Sequence, residues 1–260
     1  ARKMTLHIAQ PLQKLFAENF PDINVIDDHA PVPMADARVR LMSLPYISRQ
    51  ITGDGEQKTP SSYIMANNQK RQEWRERLAH LSKPRIGIVW GGNPSNVNDH
   101  LRSLASQQIE PLLQAIGQHG VSLQKGAHAE NIDLKTYNIF DAAPMLHDFS
   151  DTAALMSELD IIITTCTSTA HLAGALGRPT FLMLHFDPHW AWLLAREDSP
   201  WYPSLRLFRQ TEPFMWPSVI ERVISETQRF MAGDRTVLTP PCWTCPPATQ
   251  NLHAIKLPED

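Results

Sequence analysis

Ile161-Ile162-Ile163-Thr164-Thr165-Cys166-Thr167-Ser168-Thr169-Ala170-His171-Leu172-Ala173-Gly174-Ala175-Leu176-Gly177 is the stretch on which the fold turns. It opens on a continuous β-branched run, the pattern of a strand buried on both faces of a parallel sheet. Residues 168–176 then predict a helix that begins among hydroxyls able to cap it and closes at Gly177 as a helix stop. A strand running straight into a helix is the repeating unit of an α/β sheet.

The same grammar extends outward from there. Strand-like runs occur at 85–90, 121–123, 135–139, 180–184 and 205–208. Helical stretches separate most of them: 106–116, with Ile109, Leu112, Leu113 and Ile116 on one face, then 152–159, and 217–231 with Val219, Ile220, Val223 and Ile224 at helical spacing. Alternation of this kind implies a parallel sheet covered on both faces. Upstream, 4–8, 23–26 and 37–42 predict three more strands, with a helix from Pro11 carrying Leu12, Leu15 and Phe16. Residues 47–66 hold Gly53, Gly55 and Pro60 without periodicity and predict a loop or linker. Residues 67–81 predict a solvated helix around Trp74 and Leu78. The expected organisation is a partial N-terminal Rossmann-like unit over 1–66, a linking helix over 67–82, a C-terminal Rossmann-like domain over 83–235 and a Pro-rich tail over 236–260. A chain that opens directly on a strand suggests that an upstream segment is missing. The sheet edge left open would need an upstream domain or a neighbouring chain to cover it.

Composition narrows the function. The chain has 260 residues, 42% of them hydrophobic, 20% charged, with a formal net charge of −3. A protein that grips nucleic acid through bulk charge is strongly basic, so that class is excluded. Three cysteines cannot build a disulfide framework. No apolar run approaches the ~18 residues of a membrane helix, and the N-terminus lacks the apolar core of a signal peptide. A soluble, cytoplasmic protein is expected, and 21 prolines imply many punctuated loops.

Ligands of open α/β sheets bind outside the carboxyl ends of the strands, so the residues that follow each strand carry the chemistry. After 85–90 come Gly91, Gly92 and Asn93, then Asn98, Asp99, Arg102 and Ser103. The glycines admit a ligand close to the backbone and Arg102 can clamp a phosphate; a plain surface turn held by Asn and Asp is the competing account. After 121–123 come Gln124, Lys125 and Gly126, a lysine placed to meet an anion or simply an exposed one. After 161–165 the helix start at Thr167 and Ser168 offers free N–H groups and partial positive charge to a diphosphate, with His171 in the first turn. N-capping with a satisfied histidine would explain the same pattern. His185, Asp187 and His189 follow the next strand but do not by themselves form a ligand set. Trp190 and Trp192 are packing residues by preference. No Asp-x-Asp stands at a strand end, so a divalent metal is not implied. Cys242 and Cys245 form a C-x-x-C without the second pair of a zinc ribbon.

Taken together, residues 83–94, Asn98-Asp99, Arg102-Ser103, 122–125, Thr167 to Pro179 and Arg196 to Gln210 resemble the C-terminal half of the heptosyltransferase-like (family 9 type) glycosyltransferases. The branch resembled is the one often found C-terminal to tetratricopeptide repeats. The run from 166 to 210 is the specific part, and Ser43-Leu44-Pro45 resembles a loop of the N-terminal half. The resemblance implies a GT-B architecture, two Rossmann-like domains with parallel sheets facing across a cleft, here with the N-terminal one incomplete. It implies that Lys125 meets the donor phosphates and that Thr167, Ser168 and His171 form the diphosphate-binding helix start. Gly91, Asn93, Arg102 and Gln124 complete the expected binding set. Two departures stand out. Cys166 occupies a position that is usually Asp in the family, and the chain starts after the Gly-rich turn where relatives carry an acidic base.

The expected function is therefore transfer of a sugar from a nucleotide-diphosphate donor to a hydroxyl of a protein or glycan acceptor, inverting and without a metal or other cofactor. No residue is elected as base, although Asp36 and the polar groups near Ser43 lie in the N-terminal half. Two alternatives are a nucleotide-sugar-binding module without turnover and another GT-B enzyme such as a nucleotide-sugar epimerase. A purely structural or interaction domain would bind no nucleotide.

Overall fold

The computed structural model describes residues 3–52 and 61–240, without the side chains of 49–52. The glycines and proline at 53, 55 and 60 and the C-x-x-C at 242–245 lie outside the described residues.

The chain opens with β1 (Thr5–Ile8), α1 (Gln10–Asn19) and β2 (Asn24–Asp27), one β-α-β unit whose strands pair in parallel, Thr5 opposite Asn24. Pro11 lies in the first turn of α1, where its missing N–H costs nothing. The third strand expected at 37–42 does not form. Residues 37–40 carry no regular structure, 41–43 make a 3-10 turn, and α2 spans Leu44–Thr52. The alternation at 37–42 does not add to the two-stranded β1–β2 sheet, and Val39, Leu41 and Met42 are exposed. The 47–66 linker is likewise helical in its first part.

α3 (Asn68–Arg77) is capped by Asn67, whose side chain accepts from Gln69 and Lys70 N–H. It buries Trp74, and Leu78 is buried just beyond its end. After it come β3 (Ile86–Val89), α4 (Asp99–Arg102), α5 (Ser106–Ile116), β4 (Gly120–Ser122), α6 (Ala127–Glu130), β5 (Phe140–Asp141), α7 (Phe149–Ser157), β6 (Ile161–Thr165), α8 (Ser168–Ala175), β7 (Thr180–Leu184), β8 (Leu205–Arg209) and α9 (Trp216–Met231). The strand expected at 135–139 is displaced. Leu134–Tyr137 is a 3-10 turn anchored by Asp133, which accepts from Lys135 N–H, and the strand forms at Phe140–Asp141. Asn138 sits in the left-handed region and ends the turn before the chain can extend.

The six strands β3–β8 form one sheet in the order β5-β4-β3-β6-β7-β8, every pair parallel. This is the doubly wound order, with β3 and β6 at the switch point where the winding reverses. All of β3, β6 and β7 is buried, including Thr164, Thr165 and Thr180 at the strand ends. On one face, Ile86, Ile88, Ile161, Ile163, Phe181 and Met183 meet α5 and α9. On the other, Val89, Val121 and Ile162 meet α3, α7 and α8, and Leu15 of α1 is buried in the same cluster. The N-terminal unit is thus pinned to the sheet domain. Asn19 exchanges hydrogen bonds with Met65, and Ser150 donates to Glu18.

Candidate functional site

The switch point brings the loop after β3 beside the start of α8. Arg102, at the end of α4, donates from Nη1 to the carbonyl of Cys166, 3.0 Å away. Its Nε donates to Asp99 Oδ1 at 3.0 Å, and the other oxygen of Asp99 lies 2.8 Å from His128 Nε2. Asp99 is 4% exposed. Burial alone would raise its carboxyl, but the bonds from His128, Arg102 and Ser103 outweigh this and hold it below its ordinary value. The charged carboxylate therefore fixes the guanidinium in place. Gly92 is required beneath it: a Cβ there would come within 2.5 Å of Asp99 Oδ1 and 2.6 Å of Arg102 Nη2.

Gln124 locks the two loops at the sheet's end. Its Oε1 accepts from Trp90 N–H at 2.9 Å and Gly91 N–H at 2.8 Å, while its Nε2 donates to the carbonyls of Gly91 and Lys125. At 2% exposure its whole amide serves the backbone. Gly91 packs so closely on His128 that a Cβ would lie 2.4 Å from the ring.

At the start of α8, Thr167 is buried and occupies the N-cap, but its side chain makes no capping bond. Its Oγ1 turns inward to lie 3.5 Å from Thr164 Oγ1. The capping expected there is absent, and the first-turn N–H groups keep no side-chain acceptor. Ser168 is exposed beside them. His171 stacks on Trp192 with ring centroids 4.8 Å apart, and its Nδ1 lies 3.1 Å from the Tyr202 hydroxyl. Burial, with a smaller contribution from nearby His189, pushes the imidazole down to about 4, so His171 is neutral at physiological pH. Tyr202 closes over α8 at Gly174, where a Cβ would come within 2.3 Å of its ring.

Lys125 is exposed and directs its Nζ to the carbonyl of Leu146 at 2.5 Å. Asn93 is exposed and accepts from Ser95 N–H, the local turn contact of an Asx residue. Of the eight residues expected from the sequence, the structure joins Arg102 to the turn that opens α8, where Thr167, Ser168 and His171 stand. It uses Gln124 and Gly91 to brace the floor, and directs Lys125 and Asn93 elsewhere. Sequence reasoning missed His128, three positions past Lys125 with no pattern to mark it, and Tyr202, whose role depends on chain return.

Cys166 accounts for its own departure. Its thiol accepts from Trp192 Nε1 at 3.0 Å inside a cluster with Leu182, Leu184, Leu205 and Leu207. Burial pushes the thiol up. A carboxylate there would be desolvated, and it is the backbone carbonyl, not the side chain, that meets Arg102. Among the described residues no cluster of three or more His, Cys, Asp or Glu is arranged to hold a metal. His189 Nδ1 accepts from Ala191 N–H.

A crystal structure of a glycosyl transferase family 9 protein from Veillonella parvula DSM 2008 superposes with a TM-score of 0.50 at 13% identity, covering 82% of this chain and 65% of that one. The chain has the fold of that glycosyltransferase. It is the GT-B type of α/β fold with parallel sheets. POFUT1 in complex with GDP-fucose aligns at a TM-score of 0.35 and 16% identity, over 66% of this chain and 57% of that chain. By sequence, the chain is 27% identical over 180 residues to Protein FlbA of Caulobacter vibrioides, spanning 66% of this chain but only 30% of that protein. No family model matches. No helix among the described residues is long and apolar enough to cross a membrane.

Proposed function

We propose that this chain binds a nucleotide-diphosphate sugar at the carboxyl ends of β3 and β6 and transfers the sugar to an acceptor hydroxyl, with inversion and without a metal. The observation that supports this is the Arg102 bridge to Cys166, which ties a fixed cation to the turn preceding the uncapped start of α8. Preorganised charge of that kind stabilises a departing diphosphate. In the transfer, the acceptor oxygen bonds to the anomeric carbon, the bond from that carbon to the diphosphate oxygen breaks, and the acceptor proton passes to a base. Arg102 and the Ser168 and Thr169 amides meet the charge that develops on the diphosphate. Lys125 joins them by releasing Leu146. Neutral His171 supplies a hydrogen bond rather than charge. The shared fold with a family 9 glycosyltransferase supports the reaction class, and the β1-α1-β2 unit would stand on the acceptor side.

Isothermal titration with ADP, GDP, UDP and CDP, with and without a chelator, tests the binding. Incubation with matching nucleotide sugars tests turnover. Saturable binding that survives chelation and Arg102-dependent release of diphosphate are expected. Absence of binding by the whole panel removes the reading, and binding without release leaves a binding module.

A further inference from the structure

We propose that Tyr202 is a positioning residue that fixes His171 as the Nε2–H tautomer, a neutral hydrogen-bond donor at the start of α8; the use of that donor rests on the nucleotide-sugar reading above. The tautomer follows from which neighbour is the better acceptor for the Tyr202 proton. The Tyr202 hydroxyl lies 3.1 Å from His171 Nδ1. Burial raises this phenol well above its ordinary range, so Tyr202 keeps its single proton; the Tyr63 hydroxyl is its other neighbour. It can give that proton to His171 Nδ1 or to Tyr63. An imidazole nitrogen is a much stronger acceptor than a phenol oxygen, and Tyr63, at 43% exposure, can donate to Tyr202 or to water. The proton therefore points at Nδ1. A neutral imidazole that accepts at Nδ1 carries its hydrogen on Nε2.

The surroundings hold the ring in that pose. Trp192 covers one face at an interplanar angle of 26°. Tyr202 meets it edge-on, with centroids 5.7 Å apart. Gly174 leaves room for the Tyr202 ring to settle on α8, and Tyr63 is itself anchored by its N–H to the carbonyl of Ala175. His189 is the other titratable group that acts on the ring. Phosphate and sugar-ether oxygens are acceptors only, so a fixed donor suits them and the opposite tautomer would repel them.

Long-range ¹H–¹⁵N correlation of the His171 ring in the wild-type chain reads the tautomer without any ligand. A protonated Nε2 with a bare Nδ1 is expected, giving way to a mixture in Tyr202→Phe. A wild-type ring protonated on Nδ1, or a Tyr202→Phe spectrum identical to wild type, overturns the proposal. Nucleoside diphosphate titration adds a cycle. Tyr202→Phe should weaken binding about threefold to tenfold, the scale of one hydrogen bond. In a His171→Gln background, where the amide supplies the donor without help, the same change should have no effect. An undiminished Tyr202 effect in that background means that Tyr202 acts as packing and overturns the proposal. If the tautomer is fixed as stated but no nucleoside diphosphate binds, the assignment to Tyr202 stands and the nucleotide reading fails.

Discussion

Arg102 and Cys166 are 64 residues apart in sequence, and the guanidinium of one donates to the carbonyl of the other across the switch point of the sheet. The bond ties the loop after β3 to the turn before α8, the two segments between which the proposed donor would lie. Because Asp99 holds Nε, the Arg102 side chain stays oriented before any ligand arrives.

Arg102→Ala should therefore weaken nucleoside diphosphate binding by about 10- to 100-fold, the range of a charge-assisted hydrogen bond. Arg102→Lys should recover little of it, since an ammonium lacks the planar fork whose separate nitrogens reach Asp99 and Cys166. Calorimetric titration compares the three proteins. Full affinity in the lysine variant would show that charge alone matters there.

Lys125→Ala should cost less than Arg102→Ala, about threefold to tenfold, with no loss of thermal stability. The side chain is exposed and must leave the carbonyl of Leu146 to reach a ligand, which offsets part of the gain. Equal losses for the two variants would mean that Lys125 already faces the phosphates.

Gln124→Leu should destabilise the fold rather than touch the ligand directly. It leaves the N–H groups of Trp90 and Gly91 buried without an acceptor. At about 1–3 kcal/mol for each of the two groups, a total near 2–6 kcal/mol is expected. Urea unfolding measures it, and a change below ~1 kcal/mol would show that water replaces the amide.

His171 makes stability depend on pH with a definite sign. Unfolded, the imidazole titrates near 6.5; folded, it resists protonation down to about 4. The unfolded chain thus binds the proton first as pH falls. Stability is full above pH 6.5 and declines between 6.5 and about 4, by roughly 3 kcal/mol from this group. His185, also pushed down by burial, acts in the same direction. Urea unfolding at stepped pH should give a shallower decline for His171→Phe than for wild type. Parallel curves would remove His171 as the cause.

The sheet was legible where burial on both faces forces an unmistakable composition. Ile161-Ile162-Ile163 and the 180–184 run read as buried strands, and both are. The edge strand Phe140–Asp141 is two residues long and leaves no pattern, so the expected strand landed on the turn before it. At 37–42 a strand-like alternation pairs with no strand among the described residues, and pairing is a property of the fold rather than of the segment. The site followed the same division. Glycines, a helix start and a basic residue at strand ends could be read in order along the chain. What Lys125 bonds, and which tyrosine reaches His171, depend on returns of the chain from 21 and 31 residues away, which local sequence does not encode.

The strand order has a kinetic side. Each half of the six-stranded sheet can assemble from short-range neighbours, β3 with β4 and β5, and β6 with β7 and β8. The central pair β3–β6 cannot: beside it, Arg85 N–H reaches the carboxylate of Asp160, 75 residues further on. Closing a loop of that size costs about 4 kcal/mol of chain entropy before any contact across it is gained. The pairing that would create the proposed donor crevice is therefore the slowest to nucleate, and refolding should proceed through two half-sheets that meet last at Ile86 and Ile161. Any binding competence must appear only with that final step, because neither half-sheet holds both Arg102 and the turn at Cys166.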